Sequence, residues 1–228
     1  AKKPDLYILG EIWHTSQPWL QGDEFHAVMN YPLSESIKDY FLRQHKKTGQ
    51  FISEINSQLM YYKQQISEVM FNLLDSHDTE RILTTAKGNI QHVKAALTFL
   101  YLQKGTPCIY YGTELELIGG PDPDCRRVMP WDRVSEDNDM LNFMKQLIQL
   151  RKEVASIIQH GSYSLEEVKP DVIALKWSHE GKEVQAIFNQ SSEKYILDRD
   201  SVDLASHCQF EDGQQVILPD GFVVYIID

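Results

Sequence analysis

Four clusters of polar side chains, each placed just after a short apolar segment, are the candidates for chemistry in this chain. The clusters occupy residues 10–14, 30–32, 75–81 and 111–127. In sheets and barrels of parallel strands, the carboxyl ends of the strands form one face, and ligands bind there. We therefore expect Glu11, after the first segment, and Asp78, after the third, to share one rim although positions 11 and 78 are 67 residues apart.

The residue types on this rim favour a polyhydroxylated ligand. Aromatic rings stack on the C–H faces of sugars, and carboxylates and arginine bind hydroxyl groups. A pair of carboxylates also suits glycoside hydrolysis, in which one acid protonates the leaving oxygen and another carboxylate faces the anomeric carbon. Spacing alone leaves simpler alternatives open: Glu11 suits a solvated rim, Asp78 a helix N-cap, and Asp122 with Arg126 a surface ion pair.

Apolar periodicity predicts the elements that position these clusters. Short apolar segments predict buried parallel strands at 6–9, 27–29, 69–74 and 108–111. Apolar residues spaced by three and four predict intervening helices at 36–46, 51–65, 89–103 and 139–154. Later segments bounded by turn residues predict antiparallel strands at 172–177, 184–188, 215–218 and 222–227. We therefore expect an α/β domain at 1–156 and an all-β domain at 157–228.

The composition excludes several classes of protein. The 33 acidic residues outnumber the 22 basic ones, and the net charge of −11 disfavours sequence-independent binding to nucleic acid. No apolar run approaches the ~18–20 residues that a membrane span needs. The three cysteines form no CxxC pair, so neither a zinc site nor a disulfide framework is indicated. Reduced thiols in a cytoplasmic protein are the expectation.

Three longer motifs resemble the α-amylase family, glycoside hydrolase family 13. They are Gly-Glu-Ile-Trp-His at 10–14, Asn-Leu-Leu-Asp-Ser-His-Asp-Thr-Glu-Arg at 72–81, and Gly-Gly-Pro-Asp-Pro-Asp-Cys-Arg-Arg at 119–127. Within the family, the motifs are most similar to neopullulanases, cyclomaltodextrinases and maltogenic amylases. The resemblance implies that the α/β region is the C-terminal half, strands 5–8, of a TIM (β/α)₈ barrel. It also implies that an antiparallel β-sandwich domain follows.

The resemblance implies a retaining hydrolase that cleaves α-1,4 bonds, with α-1,6 bonds also considered, in cyclodextrins, pullulan or starch. Glu11 matches the family's general acid/base, and Asp78 matches its transition-state stabiliser. Substrate contacts are implied for six further residues: His77, Asp122, Arg126, Trp13, His14 and Tyr31. No cofactor is expected, and although many relatives use calcium, no metal ligand is assigned here.

One family motif is missing from this sequence. The family nucleophile is an aspartate in a Gly-x-Arg-x-Asp motif, and this motif does not occur in the 228-residue sequence. We therefore expect a fragment that is inactive alone and that self-associates through exposed edges of a half-barrel, while the whole enzyme is a candidate homodimer. The alternative, a non-catalytic amylase-like subunit that binds carbohydrate or a partner protein, stays open at this point.

Overall fold

A computed structural model describes residues 3, 5–199 and 201–227 of the chain. Four short strands lie in its first half: β1 (Leu9–Gly10), β2 (Ala27–Val28), β3 (Phe71–Asn72) and β4 (Thr106–Pro107). β1 pairs with β2 and β3 with β4, both in parallel, and a parallel bridge between Met29 and Phe71 links the two pairs. The strands are parallel as predicted, but each has two residues, and β4 begins two residues before the predicted segment 108–111.

The described residues form seven α-helices between and after these strands. They are α1 (Tyr31–Ile37), α2 (Thr48–Tyr61), α3 (Gln64–Ser67), α4 (Ile82–Thr85), α5 (Ile90–Tyr101), α6 (Asp139–Glu153) and α7 (Ala155–His160). α1 continues directly into one π-helical turn, Lys38–Leu42. Asparagine side chains cap the N-termini of α5 and α6. The Asn89 side chain accepts from the amide of Gln91, and the Asn138 side chain accepts from the amide of Leu141. Within the described residues, no helix combines the length and apolar character of a membrane span.

In the second half of the chain, the described residues form a six-stranded antiparallel sheet. Its strands are β5 (Ser162–Lys169), β6 (Val172–His179), β7 (Lys182–Asn189), β8 (Tyr195–Leu197), β9 (Leu204–Glu211) and β10 (Gln214–Ile227). The order is β5-β6-β7-β10-β8, and β9 also pairs with β10. A register shift between Ile217 and Phe222 divides β10, so that its first part pairs with β8 and its last part with β7.

The alternation of side chains along β10 explains how apolar residues cover both faces of this sheet. Alternate side chains of β10 point to opposite faces. Phe222 and Val224 belong to the large core that includes the helices, whereas Val223 and Tyr225 belong to a second apolar cluster with residues of β8 and β9. The predicted β-sandwich stays a prediction, since the six strands form one connected hydrogen-bonded sheet.

A single core joins the two halves of the chain. Phe41 and Phe99, from the helical half, lie 5.4 and 5.8 Å from the ring of Phe188 on β7. The indole nitrogen of Trp177 on β6 donates to the carbonyl of Leu102 at 2.8 Å. The predicted domain boundary at 156/157 falls inside α7, and the division into two domains stays a prediction.

Candidate active site

Glu11, His77 and Asp78 come together at the carboxyl ends of the parallel strands. Glu11 directly follows β1, and His77 and Asp78 lie on the loop after β3. One ligand atom from each side chain lies within 4.8 Å of the other two, and all three residues are exposed. Parallel pairing places both strand ends on one side of the sheet, which brings together carboxylates that are distant in sequence.

An arginine links Asp78 to the loop that follows β4. Arg126 Nη2 lies 2.9 Å from Asp78 Oδ1 and 2.9 Å from Asp122 Oδ1, so that one guanidinium bridges two carboxylates. On its other oxygen, Asp78 Oδ2 lies 3.2 Å from His77 Nε2. The result is a row of four polar side chains, in the order Asp122, Arg126, Asp78 and His77, beside Glu11.

Local hydrogen bonds fix the loop that carries His77 and Asp78. The amide of Asp78 donates to Ser76 Oγ at 3.2 Å, and the amide of Ser76 donates to Thr79 Oγ1 at 2.8 Å. At the base of this loop, the buried Asp75 carboxylate accepts from Thr113 Oγ1 at 2.9 Å and from the amide of Ile82 at 3.3 Å. Burial raises the pKa of Asp75 above its usual value. Asp75 therefore anchors the loop to the start of α4.

Tyr31 lies beneath the site and contacts both loops. Its side chain is 1% exposed, and its hydroxyl donates to Glu11 Oε1 at 3.2 Å and contacts Ser76 Oγ at 3.3 Å. The ring of Trp13 stacks on that of Tyr31, with centroids 3.8 Å apart and planes 9° apart. Trp13 is 52% exposed, so one indole face is covered by Tyr31 while much of the side chain meets solvent.

The positions of Trp13, Tyr31 and His14 differ in how directly they suit substrate binding. Trp13 presents exposed aromatic surface beside the carboxylates. Tyr31 is buried, a position that favours support of Glu11 over contact with a ligand. His14 stacks on Trp19 with centroids 5.5 Å apart. The substrate-binding roles of all three stay predictions.

Sequence reasoning did not single out two residues that hold this site together. Ser76 connects Tyr31 to the Asp78 amide, and Arg81, at the start of α4, is completely buried. Both lie inside the polar cluster 75–81, but their types gave no signal, since serine and arginine are common at exposed positions. Their contacts depend on three loops that meet only in the folded chain.

The cluster of Glu11, His77 and Asp78 holds potential metal ligands. Calcium, which many members of the resembled family use, takes about six to eight oxygen ligands, whereas His77 offers a nitrogen ligand. Asp78 Oδ1 is already paired with Arg126, and a guanidinium repels a cation. The donor set of Glu11, His77 and Asp78 therefore does not fit calcium.

Comparison with known proteins agrees with the motifs and geometry. The family model described as "Alpha amylase, catalytic domain" matches residues 1–145. The chain belongs to the alpha-amylase family. This assignment confirms the resemblance on which the sequence-based expectations rest, and it makes the chain part of a family of glycosidases.

Named relatives of this alpha-amylase family chain include two bacterial enzymes. This chain is 46% identical over 194 residues to the intracellular maltogenic amylase of Bacillus subtilis (strain 168), and the aligned region covers 84% of this chain and 33% of the relative. It is also 40% identical over 197 residues to the cyclomaltodextrinase of Thermoanaerobacter pseudethanolicus, and the aligned region covers 86% of this chain and 34% of that relative. The chain thus spans about a third of these relatives. A cytoplasmic location, consistent with the first relative's name, stays a prediction.

Solved structures of the family share the fold over nearly the whole chain. The cyclic alpha-maltosyl-(1→6)-maltose hydrolase of Arthrobacter globiformis superposes with a TM-score of 0.85 at 26% identity, covering 99% of this chain and 50% of that one. A cyclomaltodextrinase superposes with a TM-score of 0.81 at 37% identity, covering 97% and 40%. This alpha-amylase family chain therefore has the fold of about half of such an enzyme.

Proposed function

We propose that this chain supplies the general acid/base and the transition-state stabiliser of a retaining α-glucan hydrolase. The observation that carries the proposal is the convergence of Glu11, His77 and Asp78 within 4.8 Å from two different strand ends. The proposed substrates are α-1,4 bonds, and also α-1,6 bonds, of cyclodextrins, pullulan or starch. Relatives named maltogenic amylase, cyclomaltodextrinase and neopullulanase support this substrate class.

In the proposed reaction, Glu11 is the group that moves the proton. It protonates the glycosidic oxygen as the bond breaks, and it removes a proton from water when the glycosyl-enzyme is hydrolysed. The Tyr31 hydroxyl, which donates to Glu11 Oε1 at 3.2 Å, orients the carboxylate. Burial raises the pKa of Tyr31 to about 12, so the hydroxyl stays protonated at neutral pH and remains a donor.

The row of charges beside Glu11 supports the proposed binding of the sugar. Asp78 faces the oxocarbenium-like transition state, whose positive charge a carboxylate stabilises. Arg126 and Asp122 bind hydroxyl groups of the same sugar, and His77 binds another. Arg126, which bridges Asp122 and Asp78 at 2.9 Å each, keeps these two carboxylates at a fixed separation despite their like charge.

The proposed mechanism needs a nucleophile that this chain does not provide. In retaining glycosidases, the nucleophilic carboxylate lies about 5–5.5 Å from the acid/base. The family's Gly-x-Arg-x-Asp motif does not occur in the 228 residues. We place the nucleophile in another part of a longer polypeptide, in which residues 1–156 form strands 5–8 of a (β/α)₈ barrel and residues 157–228 form the β-sandwich.

Two properties of the isolated chain follow from this proposal. Without the nucleophile it hydrolyses neither cyclodextrin nor pullulan. It also self-associates, because Leu6, Tyr7 and Ile8, which directly precede the edge strand β1, are 53%, 47% and 39% exposed. Light scattering at about 100 μM should give a mass above that of one chain, and a monomer would contradict this second property.

Variants of the whole polypeptide test the catalytic assignment. Glu11→Gln and Asp78→Asn should each lower kcat for cyclodextrin hydrolysis by at least about 100-fold, the usual effect of removing such a group. Glu24→Gln, a change of another exposed glutamate, is the matched control and should leave kcat unchanged. Activity near wild type in either Glu11→Gln or Asp78→Asn would overturn the proposed function.

A further inference from the structure

The buried side chain of Arg81 lies where three loops of the site meet. It is 0% exposed, and among the described residues no carboxylate oxygen pairs with its guanidinium within 4.0 Å. The guanidinium carbon lies 4.0 Å from the ring centroid of Tyr110 and 4.7 Å from that of Tyr111. A buried arginine without a direct ion pair is costly, and the charge of the more distant Asp75 offsets part of this cost. The hydrogen bonds of the guanidinium show what the buried side chain holds in place.

Arg81 holds the two loops that follow β4. Its Nε donates to the carbonyl of Cys125 at 2.7 Å, and its Nη1 donates to the carbonyl of Tyr111 at 2.5 Å. Its own amide donates to the carbonyl of Gly119 at 3.0 Å. One residue at the start of α4 thus ties the loop 75–81 to the segment at Tyr111 and to both ends of the loop 119–127.

The residue that Arg81 holds is in contact with the site. The Cys125 thiol donates to the carbonyl of His77 at 3.0 Å, and Nε of the neighbouring Arg126 donates to the same carbonyl at 2.8 Å. Cys125 is completely buried, which leaves its thiol little freedom. A displacement of the Cys125 backbone would therefore move Arg126 away from Asp78.

We propose that Arg81 is a positioning residue that acts through Cys125 to hold Arg126 in place between Asp78 and Asp122. The proposal deepens the function proposed above and rests on it. An arginine suits the role because its planar fork binds two carbonyls at once while its face lies on aromatic rings. A lysine would keep the charge but offers one compact ammonium group, so it cannot make both contacts in this geometry.

The first test uses hydrogen exchange in the whole polypeptide and needs no activity. Arg81→Lys should speed amide exchange in the loop 119–127 by about tenfold, the loss of roughly one hydrogen bond. Arg151→Lys is the matched control, since the half-buried Arg151 also donates to backbone carbonyls, those of Tyr101, Gln103 and Gly105. Exchange in 119–127 should be unchanged in Arg151→Lys.

The second test separates positioning from a loss of stability. A destabilised enzyme loses kcat through a smaller folded fraction, whereas its KM is unaffected. Displacement of Arg126 and Asp122 weakens substrate binding itself, so Arg81→Lys should raise KM about tenfold and lower kcat/KM by about 100-fold, the scale of a small misplacement. Arg151→Lys should leave KM unchanged.

Cys125 variants test the route if Arg81→Lys does not fold. Cys125→Ala removes the thiol donor to the His77 carbonyl and should raise KM. Cys125→Ser retains a donor, so its KM should stay close to the wild-type value. Unchanged exchange in 119–127 with unchanged KM in Arg81→Lys, or an unchanged KM in Cys125→Ala, would overturn this inference. A wild-type protein without glucan hydrolysis would instead overturn the proposed function, and the exchange result would still decide whether Arg81 holds the loop.

Discussion

Removal of one hydroxyl group, in Tyr31→Phe, tests how Glu11 is held. The hydroxyl donates to Glu11 Oε1 at 3.2 Å and contacts Ser76 Oγ at 3.3 Å, whereas the ring lies under Trp13. Phenylalanine keeps the ring stack and removes both polar contacts. The substitution therefore changes the orientation of the carboxylate without opening a cavity.

The magnitude follows from the exposure of Glu11. Hydrogen bonds to charged groups contribute about 1.5–3 kcal/mol. Glu11 is exposed, so water replaces part of the lost contact, and the lower end of that range applies. About 1.4 kcal/mol corresponds to a tenfold change in rate. We expect kcat to fall about tenfold and KM to change less than twofold, because the Tyr31 side chain is buried and offers almost no surface to a ligand.

The assay is the initial rate of cyclodextrin hydrolysis by the whole polypeptide, measured over a range of substrate concentrations. Tyr7→Phe is the matched control, since the Tyr7 hydroxyl donates to the carbonyl of Val69 rather than to a catalytic group. A rise in KM at unchanged kcat in Tyr31→Phe would show that Tyr31 binds the substrate directly. That result would refute the supporting role assigned to Tyr31.

Three further predictions concern stability and are checked by thermal and chemical unfolding. Phe188→Ala should lower the free energy of unfolding by about 3–5 kcal/mol in one transition that includes helices and sheet, and two separate transitions would contradict the shared core. Arg151→Met, which leaves three buried carbonyls without their donor, should cost about 3 kcal/mol, and no loss would contradict the role of Arg151. Partial burial acts to raise the pKa of Glu35, but Lys38 and Arg43 outweigh burial and hold that pKa below its usual value. The resulting stabilisation is present above the unfolded-state pKa of the carboxyl and is lost as pH falls through the folded-state pKa, so Glu35→Gln should flatten the acid side of the stability profile.

The sequence predicted the shared rim of Glu11 and Asp78 because the rule behind that prediction depends on topology alone. Parallel strands place their carboxyl ends together whatever the loops between them do. The close approach of the two side chains confirms that expectation. Their catalytic roles stay predictions.

Tyr31 and Arg81 show what the sequence could not supply. An aromatic residue and an arginine both suit exposed positions near a binding site, and no local pattern marks them as buried. Tyr31 is covered because Trp13 folds over it, and Arg81 because three loops close around it. Both outcomes depend on contacts between residues that are distant in sequence.

Some of the antiparallel strands could be predicted from the sequence and others could not. Segments with apolar residues on both faces, such as Val172–His179 and Lys182–Asn189, were predicted near their observed positions. Ser162–Lys169 was not predicted, because most of its side chains are exposed and it offers little apolar alternation. The turn signal of Asp220 and Gly221 predicted two strands where β10 is one strand with a register shift.

The most direct test of the central claim, that Glu11 is the acid/base, compares two leaving groups in the Glu11→Gln variant of the whole polypeptide. Cyclodextrin hydrolysis needs protonation of a sugar oxygen. In α-maltosyl fluoride the leaving group is fluoride ion, which departs with little help from an acid. We predict that release of fluoride in the first step, in which the glycosyl-enzyme forms, falls far less than the first bond cleavage of cyclodextrin, which should drop by at least about 100-fold. Equal losses on the two substrates, or no loss on cyclodextrin, would contradict the claim.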